Sequence, residues 1–235
     1  MSSTYYPQQA FDYAKRYIKN MPLEQVQVQI LDDTNKMMWM HSPWRWSVST
    51  FPDITLINDT SDYTITVPSD FLYIQEAYIT DSAGGPTKKL YIEPYLNQGG
   101  IKGNPTRMAL TSGTPGASGN IRFSPQIGQV PTIGWTAKTL YKKQAPIITA
   151  SNANTVGVQV FDDEWFWVYV SGVLYFAYLF GDDQRAGAAQ VDPSSGRVSF
   201  TGQRGVFEAN LALMKQREKL PGMDSTIQDE QRQLT

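Results

Sequence analysis

The amino-acid sequence predicts an α+β fold in which helices at both ends of the chain flank an antiparallel β module. Three observations predict this class. Helical periodicity is confined to the two ends, short β-prone runs divided by glycine and proline fill the middle, and 41% of the 235 residues are hydrophobic. A chain of this length and composition can bury a substantial core, so we expect an ordered globular protein.

Two predicted helices begin the chain. Across residues 5–20, apolar side chains recur at helical spacing, and Pro7 stands in the first turn, where a helix tolerates proline. The second helix starts at Pro22, and its apolar stripe consists of Leu23, Val26, Ile30 and Met37. Residues 25–30 also alternate as a strand would, and we favour the helix.

The middle of the chain, residues 44–160, predicts strands. Its short runs are rich in Ile, Val, Thr, Tyr and Phe, and turn clusters such as Gly84-Gly85-Pro86 separate them. The six predicted strands are residues 63–67, 71–80, 88–93, 107–111, 120–123 and 132–142.

Helical signals return after residue 161. The acidic residues 162–164 suit a helix start, and the run from Trp165 to Phe180 is apolar on all sides. As a helix this run would rise only about 24 Å, against a bilayer core of about 30 Å, so we expect a buried helix and no membrane contact. A last helix, about residues 201–220, stops at Pro221-Gly222, and a polar tail follows.

The composition excludes several kinds of chemistry. The chain has no cysteine and a single histidine, His41, so most nucleophilic, proton-transfer and metal sites lack their usual side chains. His41 stands close to Trp39, Trp44 and Trp46, which could line a ligand cleft, but we favour a packed hinge. A formal net charge of −2 does not fit a protein that holds nucleic acid by its phosphates. We expect no enzyme activity, no cofactor and no bound metal.

Acidic and basic clusters are too small to change this expectation. The acidic clusters are Asp32-Asp33, Asp162-Asp163-Glu164 and Asp182-Asp183, and a pair of carboxylates could hydrolyse a glycosidic bond. We favour ordinary helix surfaces and ends. The basic pairs are Lys88-Lys89 and Lys142-Lys143, which fit protected strand edges. In a closed ring, each pair would repeat once per subunit and could charge a lumen.

The order of these features resembles the head-to-tail adaptor proteins of short-tailed phages. The similar motifs are Trp44-Arg45-Trp46, the strand and turn of residues 63–74, Gly103-Asn104-Pro105, and residues 121–125. The resemblance implies a helical bundle of about four helices, residues 1–43 with 161–220, and an inserted antiparallel β domain, residues 44–160. It implies that the tail, residues 221–235, is a docking segment with Met223, Ile227 and Leu234 as its apolar side chains.

The resemblance also implies a function. Such a protein forms a ring, commonly of twelve copies, beneath the portal protein at the head-to-tail interface of the virion. It assembles in the host cytoplasm, docks a tail or nozzle protein, and lets the genome DNA pass its lumen without sequence-specific binding. The alternatives are a tail-tube or tail-completion protein, a virion-associated glycan hydrolase, and a β module that binds a host glycan through Tyr73, Tyr78 and Tyr91.

Overall fold

The predicted helices and strands all form in the computed structural model, which describes residues 4–81, 88–96, 101–128, 134–159 and 161–218. The helices are α1 (Pro7–Ala14), α2 (Glu24–His41), α3 (Phe166–Phe180) and α4 (Gly202–Arg217). The strands are β1 (Val48–Thr50), β2 (Ile54–Thr55), β3 (Asp62–Thr66), β4 (Phe71–Asp81), β5 (Lys88–Ile92), β6 (Lys102–Gly103), β7 (Arg107–Ser112), β8 (Ser118–Ser124), β9 (Gln126–Ile127), β10 (Trp135–Lys143), β11 (Ala189–Val191) and β12 (Val198–Phe200). The fold class is α+β.

The chain divides into two compact units. The helical unit takes the described residues up to Ser47 and from Ala145 onward, and the β unit is Val48–Gln144. Residues 145–159 therefore lie with the helices, whereas the sequence places them in the β domain. Ile148 accounts for this, because it is buried in the helical core and its backbone N–H donates to Asp32 in α2 at 2.8 Å.

Helix α3 lies at the centre of the helical unit. Helices α1, α2 and α4 all pack on it, and its side chains are buried along most of its length. Its buried polar groups are bonded: the hydroxyl of Tyr169 donates to the carbonyl of Leu31 at 2.8 Å, and the amide of Asn210 donates to Ser171 Oγ at 3.2 Å. No helix among the described residues is long and apolar enough to cross a membrane.

Gly172 lets two neighbouring helices approach the middle of α3. A Cβ atom at this position would lie 2.6 Å from the ring of Phe207 in α4 and 2.6 Å from the methyl group of Thr34 in α2. Both neighbours are fully buried. Glycine is therefore required here for close packing.

The main sheet of the β unit is mixed. Its strand order is β1-β10-β4-β5-β7-β8-β3, and β2 pairs with β10 beside β1. Most pairs are antiparallel, but β5 and β7 run parallel, with Tyr91 opposite Arg107. The expectation of a purely antiparallel module is thus wrong, because the chain crosses over between residues 92 and 107 instead of turning back in a hairpin.

The sheet curls around its core. Strands β1 and β3 lie at opposite edges of the sheet. Phe51, just after β1, and Val67, just after β3, nevertheless belong to one buried cluster, which also contains Phe71 and Tyr141. The Phe51 and Tyr141 rings lie 5.0 Å apart. Gly119 permits this closure, because a Cβ atom there would lie 2.7 Å from a methyl group of Val67.

Candidate interaction surfaces

The apolar residues of the predicted docking tail, Met223, Ile227 and Leu234, lie outside the described residues. The last described residue is Glu218, whose carboxylate accepts a hydrogen bond from the indole Nε1 of Trp165 at 2.8 Å. The chain thus leaves α4 beside the start of α3. The predicted role of the tail stays a prediction.

Three of the four predicted lumen lysines reach the surface of the β unit. Lys88 and Lys89 are exposed in β5, and because they are neighbours in a strand, their side chains leave opposite faces of the sheet. Lys89 Nζ lies 3.3 Å from Glu76 Oε1. Lys143 is half-buried. Their position in a lumen stays a prediction.

The fourth lysine, Lys142, is buried. Only 3% of it is exposed, and burial, followed by the positive charge of Lys143, lowers the pKa of its ammonium to about 7. The strand is irregular here, with shifts of register between Leu140 and Tyr141 and between Lys142 and Lys143. Tyr141 and Lys142 are consequently both buried although they are consecutive. In the isolated chain, Lys142 therefore does not contribute a positive charge to the surface.

Opposite charges pair over the surface of the β unit. Arg122 is the least exposed base among them: its Nε donates to Asp62 Oδ1 at 2.7 Å, and its Nη1 donates to the carbonyl of Leu96 at 3.0 Å. The other pairs are Lys89–Glu76, Lys102–Asp59, Arg107–Glu93 and Lys138–Asp53. These carboxylates offset the positive charge that phosphate binding would use.

His41 lies in an aromatic cluster of the helical unit. Its ring stacks on Trp44 at 5.8 Å, Trp44 stacks on Trp46 at 5.9 Å, and Trp39 meets Trp46 edge-on at 5.0 Å. Burial lowers the pKa of His41, although Glu208, 3.9 Å from Nε2, opposes this shift. Since Trp44 is 1% exposed and its indole donates to a backbone carbonyl, the cluster is core rather than an open cleft.

The acidic clusters have structural partners. Asp163 accepts the backbone N–H and the hydroxyl of Thr4 at 2.8 and 2.6 Å. Asp183 binds the guanidinium of Arg185, with Nη2 at 2.6 Å, and this contact holds the pKa of Asp183 down to about 2. Asp32 binds the chain at residue 148, as described above. Each of these carboxylates therefore stabilises local structure.

One acidic group has the spacing of a cation site. Asp162, Glu164 and Glu218 each offer a carboxylate oxygen, and the three atoms lie within 4.8 Å of one another. Arg45 Nη2 lies 3.7 Å from Asp162, and the Trp165 indole donates to Glu218. Two of the three carboxylates therefore already have a protein partner, a guanidinium for Asp162 and a neutral N–H donor for Glu218.

The β3 strand has a free edge in the described chain. It ends the main sheet on one side. The N–H of Val67, just after β3, donates to the carbonyl of Ala117, and in an antiparallel ladder every second residue makes such bonds. The backbone N–H and C=O of Thr64 and Thr66 consequently point away from β8. Both threonines are exposed.

A second open element is the hairpin formed by β11 and β12, which among the described residues pair only with each other. All three residues of β11 are exposed, and Val191 and Val198, which are opposite each other, are 62% and 51% exposed. This hairpin was not among the predicted elements. Its signal was the turn cluster of residues 192–196, Asp-Pro-Ser-Ser-Gly, between two short β-prone runs.

Large apolar side chains are exposed on the helical unit. Trp167 is 61% exposed on the otherwise buried α3, and Met40 at the end of α2 is 81% exposed. Besides the two valines of the hairpin, others that are at least half exposed are Tyr17, Met21, Leu23, Ile147, Val156 and Leu179. Such residues are typical anchors of protein interfaces.

Comparison with known proteins places this architecture in a family. No curated protein matches the sequence. A family model described as SU10 adaptor protein matches residues 12–213, which include the end of α1, all of α2 and α3, the whole β unit and most of α4. The chain therefore belongs to the SU10 adaptor protein family and is a structural phage adaptor, a component of the virion.

Proposed function

We propose that this chain is the head-to-tail adaptor of a short-tailed phage. It forms a ring of twelve copies beneath the portal protein, passes the genome DNA through its lumen without sequence-specific binding, and docks the next tail or nozzle protein. The observation that carries the proposal is the family match across residues 12–213. The exposed apolar side chains of the helical unit support it, because they supply anchors for subunit contacts.

The proposed mechanism is mechanical. The ring converts the underside of the portal into a docking surface for later components, and no covalent bond changes. Permanent interfaces of this kind bury about 2,000 Å² or more and have apolar centres with polar rims. Lys88 and Lys89 leave opposite faces of the sheet, so one of the two, together with Lys143, would repeat around the ring and give the lumen a positive charge. The assembly takes place in the host cytoplasm.

Native mass spectrometry with and without the portal protein tests the proposal. A twelve-fold ring that forms with the portal is the expected result. An open-ended stack that forms without the portal would contradict it and would favour a tail-tube protein. Clearing of cell walls by the purified protein, lost when one carboxylate is replaced, would instead establish a glycan hydrolase.

The tail is proposed to bind the portal through Met223, Ile227 and Leu234. Because residues 221–235 include few apolar side chains, the portal would supply the surface on which these side chains pack, which makes assembly sequential. Replacing these three residues with serine should abolish portal docking and leave a folded monomer. Serine at Gln228, Gln231 and Gln233 is the matched control. Docking that survives the first set of substitutions would refute this role.

A further inference from the structure

We propose that neighbouring copies of this chain join by β-strand addition, with β11 of one copy pairing along the free edge of β3 in the next. This inference rests on the proposed ring and names the contact that would build it. Its chemistry is that of main-chain hydrogen bonding: a row of unpaired N–H and C=O groups is satisfied by another extended backbone.

The two edges of the main sheet differ in how they are protected. On the β10 side, β1 and β2 are short, and Pro52 interrupts them. Proline and short strands are common protections against unwanted pairing. The edge strand β3 has five residues, Asp-Tyr-Thr-Ile-Thr, with neither proline nor lysine. Its outward groups at Thr64 and Thr66 are exposed, so this edge is suited to accept a strand.

The hairpin is the complementary element. An isolated two-stranded hairpin is marginally stable in water, and a third strand stabilises it. Its turn is nevertheless well held, because the Asp192 carboxylate accepts hydrogen bonds from Ser194 N–H at 2.9 Å and from Ser195 Oγ at 2.6 Å. The N–H of Asp192 bonds to the carbonyl of Arg197, so the N–H of the preceding Val191 points outward.

Charge and shape are compatible with this pairing. Strand β11 is Ala-Gln-Val and carries no charge, and the one charged residue of β3, Asp62, is already bound to Arg122. Exposed Val191 would lie beside the threonines of β3, and β-branched residues suit such cross-strand contacts. Because each copy carries one donor hairpin and one acceptor edge, the contact is heterologous and can repeat around a ring.

Proline substitutions at outward-facing positions test the pairing. Thr64→Pro removes an N–H that β8 does not use, and Val191→Pro removes one that β12 does not use, so both variants should fold. With portal protein present, we expect each to lower at least tenfold the fraction of chain that assembles into rings, as measured by native mass spectrometry. Thr64→Val and Val191→Thr keep the N–H groups and should associate like the wild type. Thr66→Pro is a second edge variant if Thr64→Pro unfolds.

Mixing the two proline variants is the decisive experiment. The Thr64→Pro chain retains its hairpin and the Val191→Pro chain retains its edge, so an equimolar mixture should form a dimer that grows no further. Native mass spectrometry of the mixture detects it. Proline variants that assemble like the wild type would overturn this inference and leave the ring proposal intact. Wild-type protein that stays monomeric even with portal protein would overturn both.

Discussion

Replacing Gly172 with alanine should destabilise the helical unit although alanine is the better helix former. The added Cβ atom would lie 2.6 Å from both Phe207 and Thr34. The methyl group of Thr34 cannot easily turn away, because its hydroxyl donates to the carbonyl of Ile30 at 2.7 Å and fixes the side chain. Relief therefore requires a shift of α2 or α4 relative to α3.

The expected size follows from two opposing terms. Alanine gains about 0.5–1 kcal/mol over glycine inside a helix. Adding a carbon to a filled core costs about 1–3 kcal/mol, and we take the upper part of this range because both neighbours are fully buried. The net loss in the free energy of unfolding is about 1–2 kcal/mol, which lowers Tm by about 2–8 °C for a chain of this size.

Urea and thermal unfolding followed by circular dichroism measure this loss. Adding Thr34→Ser to Gly172→Ala removes the obstructing methyl group and keeps the hydroxyl, so the double variant should recover part of the stability that the single variant loses. An alanine variant as stable as the wild type, or more stable, would refute the reasoning. It would show that the free energy gained from the higher helix propensity of alanine exceeds the cost of its contacts with Phe207 and Thr34.

Three further predictions concern stability. Gly119→Ala should cost the β unit about 1–3 kcal/mol in urea unfolding, whereas Gly103→Ala, whose Cβ would meet only ordinary contacts from 3.7 Å, should cost little. Burial lowers the pKa of Lys142 in the folded chain to about 7, whereas the pKa of an unfolded lysine is about 10.4. Between these two pH values the unfolded chain binds more protons than the folded chain. The free energy of unfolding of the wild type should therefore rise from pH 7 to 9. The Lys142→Met variant should be more stable than the wild type at pH 7, and its stability should not rise with pH in this way. The rise in the wild type is at most about 1.4 kcal/mol per pH unit. Tyr169→Phe removes a buried hydrogen bond and should cost about 1–2 kcal/mol in urea unfolding, with a value near zero contradicting the bond.

Hydrophobic periodicity predicted α1 and α2 because each of them buries one face, whereas α3 was predicted from its long apolar run. The ambiguous segment 25–30 is helical, since it begins a helix whose residues from Ile30 to Met38 present one buried stripe to α3. Short strands such as β1, β2 and β6 were missed. They have two or three residues, too few for alternation to show. Strands β1 and β2 pair with the longer β10, and β6 pairs with the equally short β9.

Side-chain exposure was harder to predict than secondary structure. Helix α3 is apolar on all sides, so its sequence could not indicate that Trp167 and Leu179 would be exposed. Lys142 looked like half of a surface pair, but the irregular register of β10 buries it. The parallel pairing of β5 with β7 depends on a crossover, and strand patterns alone do not give strand direction.

The helical unit is built from both ends of the chain, so its helices cannot pack together until the last part of the chain has been synthesised. Helices α1 and α2 cover α3, which leaves the ribosome roughly 120 residues after α2, or about ten seconds at a usual elongation rate. The contiguous β unit is complete before that time. The apolar faces of α1 and α2 are therefore without the cover of α3 while the central insertion is synthesised.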